Sequence, residues 1–593
     1  METLALVPDA PSPTPPASSP SPASPDFSGP RFARRPAQLR VALVADGPTQ
    51  SHWLAEAFRQ TALAAWADVV LVLVGKAKPK SNANSSPAHH RLPRAWRVYQ
   101  QLDRWLFGHG SDPSQGCDLR HLGPSVVSID PADESAWREE LARANVDVLF
   151  VLGEEALVER FAATARYGAW HFRFGGSSTT AWAGLAEVAT EQPITSSSLV
   201  ARLPDGSERV LADSWTRTLP FSISGNRSRL LHRTAQYPAR ALRDLAEQGA
   251  DWLARRPPAA PQSVAGAAST HPAVFPAAGR IAGQVAGRAL ARGLQKITHV
   301  DQWFLAYRFG SGDDWQHDWG NFTCLMPPKD RFWADPFPIK WGERYLIYFE
   351  ELPFATNRAH LSVIEVTPDG RCSESRMVLS RDYHLSYPFL FEAEGRLFMI
   401  PETGQNRCVE LYSCTRIPDQ WRLEKVLLRD AYYVDATVHH VGGRWWMFVN
   451  VGNDASNLHD ELHLYYADHF LGPWHAHAGN PVKSDVRSAR SAGKLFEDEG
   501  TLYRPAQICA PLYGSGLSVN QIQTLTPELY AEQEVGRILP PWGSRILGVH
   551  TLNRAGNLTV VDGFMRRRRW GPDDLSRFEP ERLLPGHVSE ARS

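Results

Sequence analysis

Two hydrophobic periodicities divide this chain. In its first part, continuous apolar runs alternate with stretches in which apolar residues return every three to four positions. The runs at 39–46 (LRVALVAD), 68–75, 125–129, 146–152 and 168–174 predict strands buried on both faces. Residues 51–66, 95–107, 134–144 and 154–165 predict amphipathic helices between them. Strand–helix alternation of this kind predicts a doubly wound α/β sheet with helices on both faces. No GxGxxG follows the first strand, so no dinucleotide site is expected. Residues 239–255 predict one more helix, the Pro/Ala/Gly-rich stretch 255–279 a linker, and 281–296 a short helix.

From Gln302 onward the period changes to short β segments, and one phrase is written five times. Its copies are WADPFPIKWGERYLIYFEE, SYPFLFEAEGRLFMIPET, VDATVHHVGGRWWMFVNV, SARSAGKLFEDEGTLYRPAQ and the weaker HTLNRAGNLTVVDG. Each joins a short strand to an apolar or aromatic strand, most through a Gly-centred turn. With Asp335, Tyr387, Asp435, Ser488 and His550 as anchors, the intervals are 52, 48, 53 and 62 residues. Further apolar segments between anchors, such as 360–366 and 408–414, leave room for about four strands per unit. A period near fifty predicts a five-bladed β-propeller, whose first strands line the channel and bring the anchors together.

Composition adds limits. The 593 residues exceed what one core organises, and 20 Trp make aromatic packing or sugar stacking a theme. A net charge of −1 gives no global attraction for nucleic acid, and the run Arg566–Arg569 reads as a solvated hairpin end. The six cysteines show no CxxC spacing, which argues against a zinc site or a disulfide framework. His439 and His440 alternate sides of one strand and cannot share a metal, so no metal site is expected. The Pro/Ser/Ala-rich start lacks a signal-peptide pattern, and no apolar run reaches membrane-spanning length. The expectation is a cytoplasmic chain with no transmembrane segment. Its parts are a disordered tail (1–37), an α/β domain (38–245), a helix and linker (246–299), a propeller (300–575) and a tail (576–593).

The segment VDVLFVLGEEALVERFAATARYGAWHFRFGG and the later strand around Pro193-Ile194-Thr195 resemble the formyltransferase family. The resemblance implies formyl-tetrahydrofolate as cofactor and a site at His171, Arg173 and Asp205. Arg173 departs from the family pattern, because an always-protonated guanidinium cannot accept a proton.

Trp333-Ala334-Asp335-Pro336 resembles the first-blade phrase of five-bladed glycoside hydrolases of families 32 and 43. Residues 300–575 also resemble the N-terminal propeller of plant glucosamine inositolphosphorylceramide transferases. Cleaving a glycosidic bond takes two carboxylates about 5–10 Å apart. Asp335 and Asp435 are the expected pair, with Glu350 and Glu402, which close second strands, as substitutes. Blade four reads Ser488-Ala489-Arg490 where a hydrolase of these families would carry its acid, which argues against plain hydrolysis.

Trp333, Tyr387, Arg490, Arg504 and His550 are the expected substrate contacts, the arginines suiting a phosphate or carboxylate. Three functions follow. The first is a transferase of glycan or glycolipid assembly acting on a sugar, nucleotide-sugar or lipid-linked glycan. The second is a sugar-amine formyl- or acyltransferase with the propeller as its binding module. The third is a non-catalytic glycan-binding scaffold.

Overall fold

A computed structural model describes residues 38–570 apart from 46, 48, 63–65, 76–100, 106–115, 120–124, 130–132, 154, 176–182, 260–269, 311–321, 453–457 and 541–544. Both expected tails and part of the linker lie outside the described residues. So does the 95–107 helix except for 101–105, which is helical.

The first domain is built on strands β1 (Leu39–Ala45), β2 (Ala67–Gly75), β3 (Ser125–Ile129), β4 (Val148–Val151), β5 (Ala169–Phe174), β6 (Ile194–Arg202) and β7 (Glu208–Arg217). They form one sheet in the order β3-β2-β1-β4-β5-β6-β7. The first five are parallel, and β6 and β7 add an antiparallel hairpin at one edge. Helices are α1 (His52–Ala62), α2 (Glu134–Ala144), α3 (Glu155–Phe161), α4 (Ile223–Thr234) and α5 (Tyr237–Gln248). Continuous apolar strands make sense because both faces are covered. Val41, Leu43 and Phe150 pack with Trp53, Phe58, Leu230 and Leu242 on one face; Ala42, Val44 and Leu149 pack with Trp137, Leu141 and Phe161 on the other. The doubly wound expectation stands. The single helix expected over 239–255 is broken at Gly249, whose φ of +70° suits glycine. A long helix, α6 (Thr270–Thr298), begins inside the stretch expected to be linker.

The second half is a five-bladed propeller. Blades one to four are sheets beginning at Arg331, Ser386, Tyr432 and Phe496. Blade five is assembled from both ends of the domain. His299–Phe309 pairs antiparallel with Leu558–Arg568 over eleven residue pairs, with Leu552–Ala555 on the channel side. Sequence periodicity finds the C-terminal part of this blade but not its partner, because His299–Phe309 belongs to no repeat unit. Interblade cores are apolar, such as Tyr348, Phe389 and Met447 between blades one to three, and Phe304, Ala492 and Val561 between four and five. Among the described residues no helix is long and apolar enough to cross a membrane.

The two domains are docked. Val486 N donates to Trp215 O at 2.9 Å, and Arg487 lies 4.9 Å over the Trp215 ring. Arg233 of α4, 2% exposed, donates to Asp460 at 2.5 Å and pairs with Glu461, which Arg240 also reaches at 2.7 Å. Removing one partner of a buried ion pair costs more than the pair is worth, because the other charge is stranded. Arg233→Met should therefore lower stability to urea by about 3–5 kcal/mol. A loss below about 0.5 kcal/mol, within the range of ordinary surface substitutions, would show that this pair does not hold the domains together.

Candidate functional site

The anchors of blades one to three share one backbone device. The pairing of first and second strands shifts between Ala334 and Phe337, Ser386 and Phe389, and Val434 and Thr437. At each shift one non-glycine residue takes a left-handed φ: Asp335 at 51°, Tyr387 at 44° and Asp435 at 53°. Such backbone costs on the order of 1–3 kcal/mol per residue and persists where the surroundings over-determine it. Here those surroundings are the channel contacts.

Asp335 sits between blades one and five. Its Oδ1 accepts from Thr551 Oγ1 at 2.8 Å, its Oδ2 from Tyr387 N at 3.2 Å, and its own N donates to Asp562 Oδ2 at 3.1 Å. His550 bridges the two acids, with Nδ1 2.5 Å from Asp562 Oδ2 and Nε2 3.8 Å from Asp335 Oδ1. Trp303 stacks on the imidazole at 3.9 Å, with the rings 12° apart. Burial pushes Asp335 up to about 7; His550 opposes this and Asp435, Glu350 and Asp562 reinforce it. Burial pulls His550 down, but Asp562 and Asp335 outweigh it and hold the ring at about 9.

The carboxylate oxygens of Asp335 and Asp562 and a His550 nitrogen lie within 4.8 Å of one another, close enough to consider a cation. The donors already present argue otherwise. Asp562 also accepts from the backbone N–H groups of His550 (2.8 Å) and Thr551 (3.0 Å), so a cation would displace existing hydrogen bonds.

A second cluster joins blades two to four. Arg490 Nε donates to Asp435 Oδ2 at 2.6 Å, its Nη2 reaches Asp435 Oδ1 at 3.3 Å and Glu402 Oε2 at 3.4 Å, and its Nη1 meets His459 Nδ1 at 2.9 Å. Gln507 also donates to Asp435 Oδ2 at 2.9 Å. Tyr513 carries the guanidinium on its ring face at 5.0 Å. Burial and then Asp435 push Glu402 up to about 8, against Arg490 and His384, so this carboxyl keeps its proton at neutral pH. His459 is held well below its ordinary range by burial, with Arg490, Arg217 and Arg229 adding to it, and is neutral. Beside this cluster, His384 Nε2 lies 3.1 Å from Glu350 Oε1. Burial lowers His384, but Glu350 outweighs it and holds the ring at about 9.

Exposure sorts these groups. The side chains of Glu402 and His384 keep 16% and 23% of their surface, while those of Asp335 and Asp435 keep 6% and 2%. An incoming molecule meets Glu402 and His384 first, with the two anchor aspartates behind them. The structure therefore brings together Asp335, Asp435, Glu350, Glu402, Arg490 and His550.

Other expected contacts lie elsewhere. Trp333 packs with Tyr345, Phe349 and Val560 in the core between blades one and five. Tyr387, fully buried, lies across the channel, accepting from Gly493 N at 2.8 Å and bonding Thr437 Oγ1 at 2.8 Å. Arg504 is fully buried, with Nε and Nη2 bonded to Glu532 and Nη2 also to Ser488 O. All three are buried inside the propeller, out of reach of an incoming molecule. Ser488 is displaced as well: the Gly493 backbone, not Ser488, meets Tyr387.

His384, His459, Gln507, Tyr513, Thr551 and Asp562 are site residues that sequence reasoning passed over. Two had a signal, since His384 stands three residues before an anchor and Asp562 lies inside the fifth repeat phrase.

In the α/β domain His171 and Arg173 share a face of β5. Arg173 donates to Glu208 at 2.9 Å. His171 is buried with neither ring nitrogen hydrogen-bonded, and burial, with Arg173 and Arg202, pushes it down to about 3. Asp205 is in the exposed β6–β7 turn, bound to Ser207, whereas His171 pairs with Val200 well inside the strand. The expected trio is thus not assembled. Among the described residues, these side chains offer formyl-tetrahydrofolate no proton-handling set.

Residues 324–540 match the family model described as Glucosamine inositolphosphorylceramide transferase 1, N-terminal. The protein of that name from Oryza sativa subsp. japonica is 34% identical over 221 residues, 36% of this chain and 30% of the rice protein. Its Arabidopsis thaliana counterpart is 33% identical over 222 residues, 36% and 28% of the two chains. The chain thus spans less than a third of these relatives' length. A family 117 glycoside hydrolase from Zobellia galactanivorans aligns over 45% of this chain and 90% of its own at 13% identity, TM-score 0.30. Glycinamide ribonucleotide transformylase 1 from Symbiobacterium toebii aligns over 37% and 93% at 14% identity, TM-score 0.26. Scores of that size leave both structural likenesses without weight.

The protonation pattern of the channel makes stability pH-dependent. Asp335 and Glu402 hold protons in the fold to about 7 and 8, whereas in the unfolded chain they release them at the ordinary values of 3.8 and 4.5. His384 and His550 hold theirs to about 9 against 6.5 unfolded. In each of these four the folded state binds more protons, so they weaken the fold as pH rises from about 4 to about 9. His171 and His459, held low, act in the opposite sense below about 6.5, so the unfolding midpoint should drop between about pH 6.5 and 8. Glu402→Gln, whose amide stands in for the protonated carboxyl, should flatten the slope between pH 4.5 and 8. An unchanged slope in the variant would mean that Glu402 does not carry the proton.

Proposed function

We propose that the channel mouth around Glu402 and His384 is the sugar site of a transferase in glycan or glycolipid assembly. The observation that carries this reading is a protonated, partly exposed Glu402 beside Asp435, whose carboxylate Arg490 and Gln507 hold in place. The match of residues 324–540 to the plant transferase family supports the same class of chemistry. The name of those relatives points to a sugar joined to an inositol phosphate headgroup on a lipid; this chain's donor would be a nucleotide-sugar or lipid-linked sugar.

In such a transfer the bond from the anomeric carbon to the leaving oxygen breaks while a bond to the acceptor hydroxyl oxygen forms. Glu402 gives its proton to the leaving oxygen, and Glu350, paired with His384, takes the acceptor's hydroxyl proton. Asp435 and Arg490 are positioning residues: Asp435 helps keep Glu402 protonated, and Arg490 orients both carboxyl groups. Asp335 and His550 brace the floor of the site. Blade four contributes Arg490 and Gln507 to these contacts, and no carboxylate of that blade joins them among the described residues, which favours transfer over hydrolysis.

Incubating the full chain with a panel of nucleotide-sugars and lipid-linked glycans, followed by mass spectrometry, tests this reading. Glu402→Gln should lower turnover by about 10²–10⁴-fold while leaving binding within a few-fold. A variant retaining more than half of wild-type turnover would remove Glu402 from the chemistry. Glycan binding by the wild type with no product from any donor would leave a binding scaffold in place of a transferase.

A further inference from the structure

Helix α6 is attached to the protein by its polar side. Arg288 Nη1 donates to Pro220 O at 3.2 Å and Nη2 faces Glu191 at 3.7 Å; Arg292 Nη2 donates to Asp301 at 2.9 Å and Nη1 to Gln295 at 3.0 Å. Val285 is buried, whereas the large apolar residues of its last three turns face outward. Leu290, Leu294 and Ile297 are 67%, 57% and 55% exposed, and their spacing puts them on one stripe. An amphipathic helix docked on a soluble core has the reverse arrangement.

The surroundings say what this stripe meets. Arg569 N donates to Thr298 O at 3.0 Å and its Nε to Lys296 O at 3.1 Å, which places the next residue, Trp570 (68% exposed), at the end of the same helix. Residues 282–301 and 566–570 carry seven Lys and Arg and a single acid, Asp301. That acid is already paired with Arg292 and Arg566. Lys296, Arg568 and Arg569 remain exposed.

We infer that the outer face of α6, with Trp570 and its basic rim, is a docking surface for an anionic lipid bilayer. Leu290, Leu294 and Ile297 enter the acyl boundary, Trp570 lies at the headgroup level, and Lys296, Arg568 and Arg569 meet lipid phosphates. The exposed cations Lys296, Arg568 and Arg569 complement a negatively charged surface. The attachment is peripheral and independent of the chemistry assigned to the channel.

Sedimentation of the full chain with vesicles tests it. Vesicles of phosphatidylcholine with about a third phosphatidylglycerol should bind at least about tenfold more protein than phosphatidylcholine alone, and salt should weaken the binding. Leu290→Ser/Leu294→Ser/Ile297→Ser should abolish it at an unchanged unfolding midpoint. Lys296→Glu/Arg568→Glu, which leaves the apolar stripe whole, should lower it about tenfold or more. Wild-type protein left in the supernatant with both vesicle types would overturn the inference. So would a wild-type dimer that the triple variant turns into a monomer, since the stripe would then be an interface between two copies of this chain.

Discussion

Blade five is closed by pairing His299–Phe309 with Leu558–Arg568, and the channel depends on that closure. Leu558–Arg568 carries Asp562, whose carboxylate takes hydrogen bonds from His550, Thr551 and, across the ring junction, the backbone of Asp335. Asp335 and Asp562 are 227 residues apart, so the loop that separates them must be closed before the bond forms. If the two strands separated, Asp335 would lose Thr551 and the Asp562 contact to its N–H. Its left-handed backbone would then have little to hold it.

Burial of charge is the second constraint, and it gives the channel its chemistry. Several carboxylates and two cationic imidazoles crowd a space from which water is largely excluded. Taking ionised groups out of water is expensive, so each group is paired, protonated or both. Asp435 is paired with Arg490, Glu402 keeps its proton beside it, and Asp335 shares its surroundings with protonated His550. A proton donor poised near neutral pH is a consequence of this crowding.

The sequence was most informative where its pattern was local. Alternation along strands, turn glycines and a spacing near fifty residues revealed the propeller and three of its channel anchors, because a blade is a local supersecondary unit repeated in tandem. It was least informative about the direction in which anchor side chains point. Tyr387 and Asp335 hold equivalent positions, yet one fills the channel and the other receives hydrogen bonds within it. Trp333 stands two residues from Asp335 and faces an interblade core. Arg490 and Arg504 read alike in the chain, but only Arg490 reaches the acids of other blades.

By itself, the sequence determined the two-part architecture, the number of blades and the presence of Asp335, Asp435 and Glu402 at repeat boundaries. These follow from periodicity, which is a property of neighbouring residues. Only the tertiary structure decided that Glu402 is the accessible acid, that His384 and His550 stay charged, and that the Arg173 guanidinium is already taken by Glu208. Those outcomes rest on burial and on partners far apart in the chain, and spacing along a sequence carries no record of either.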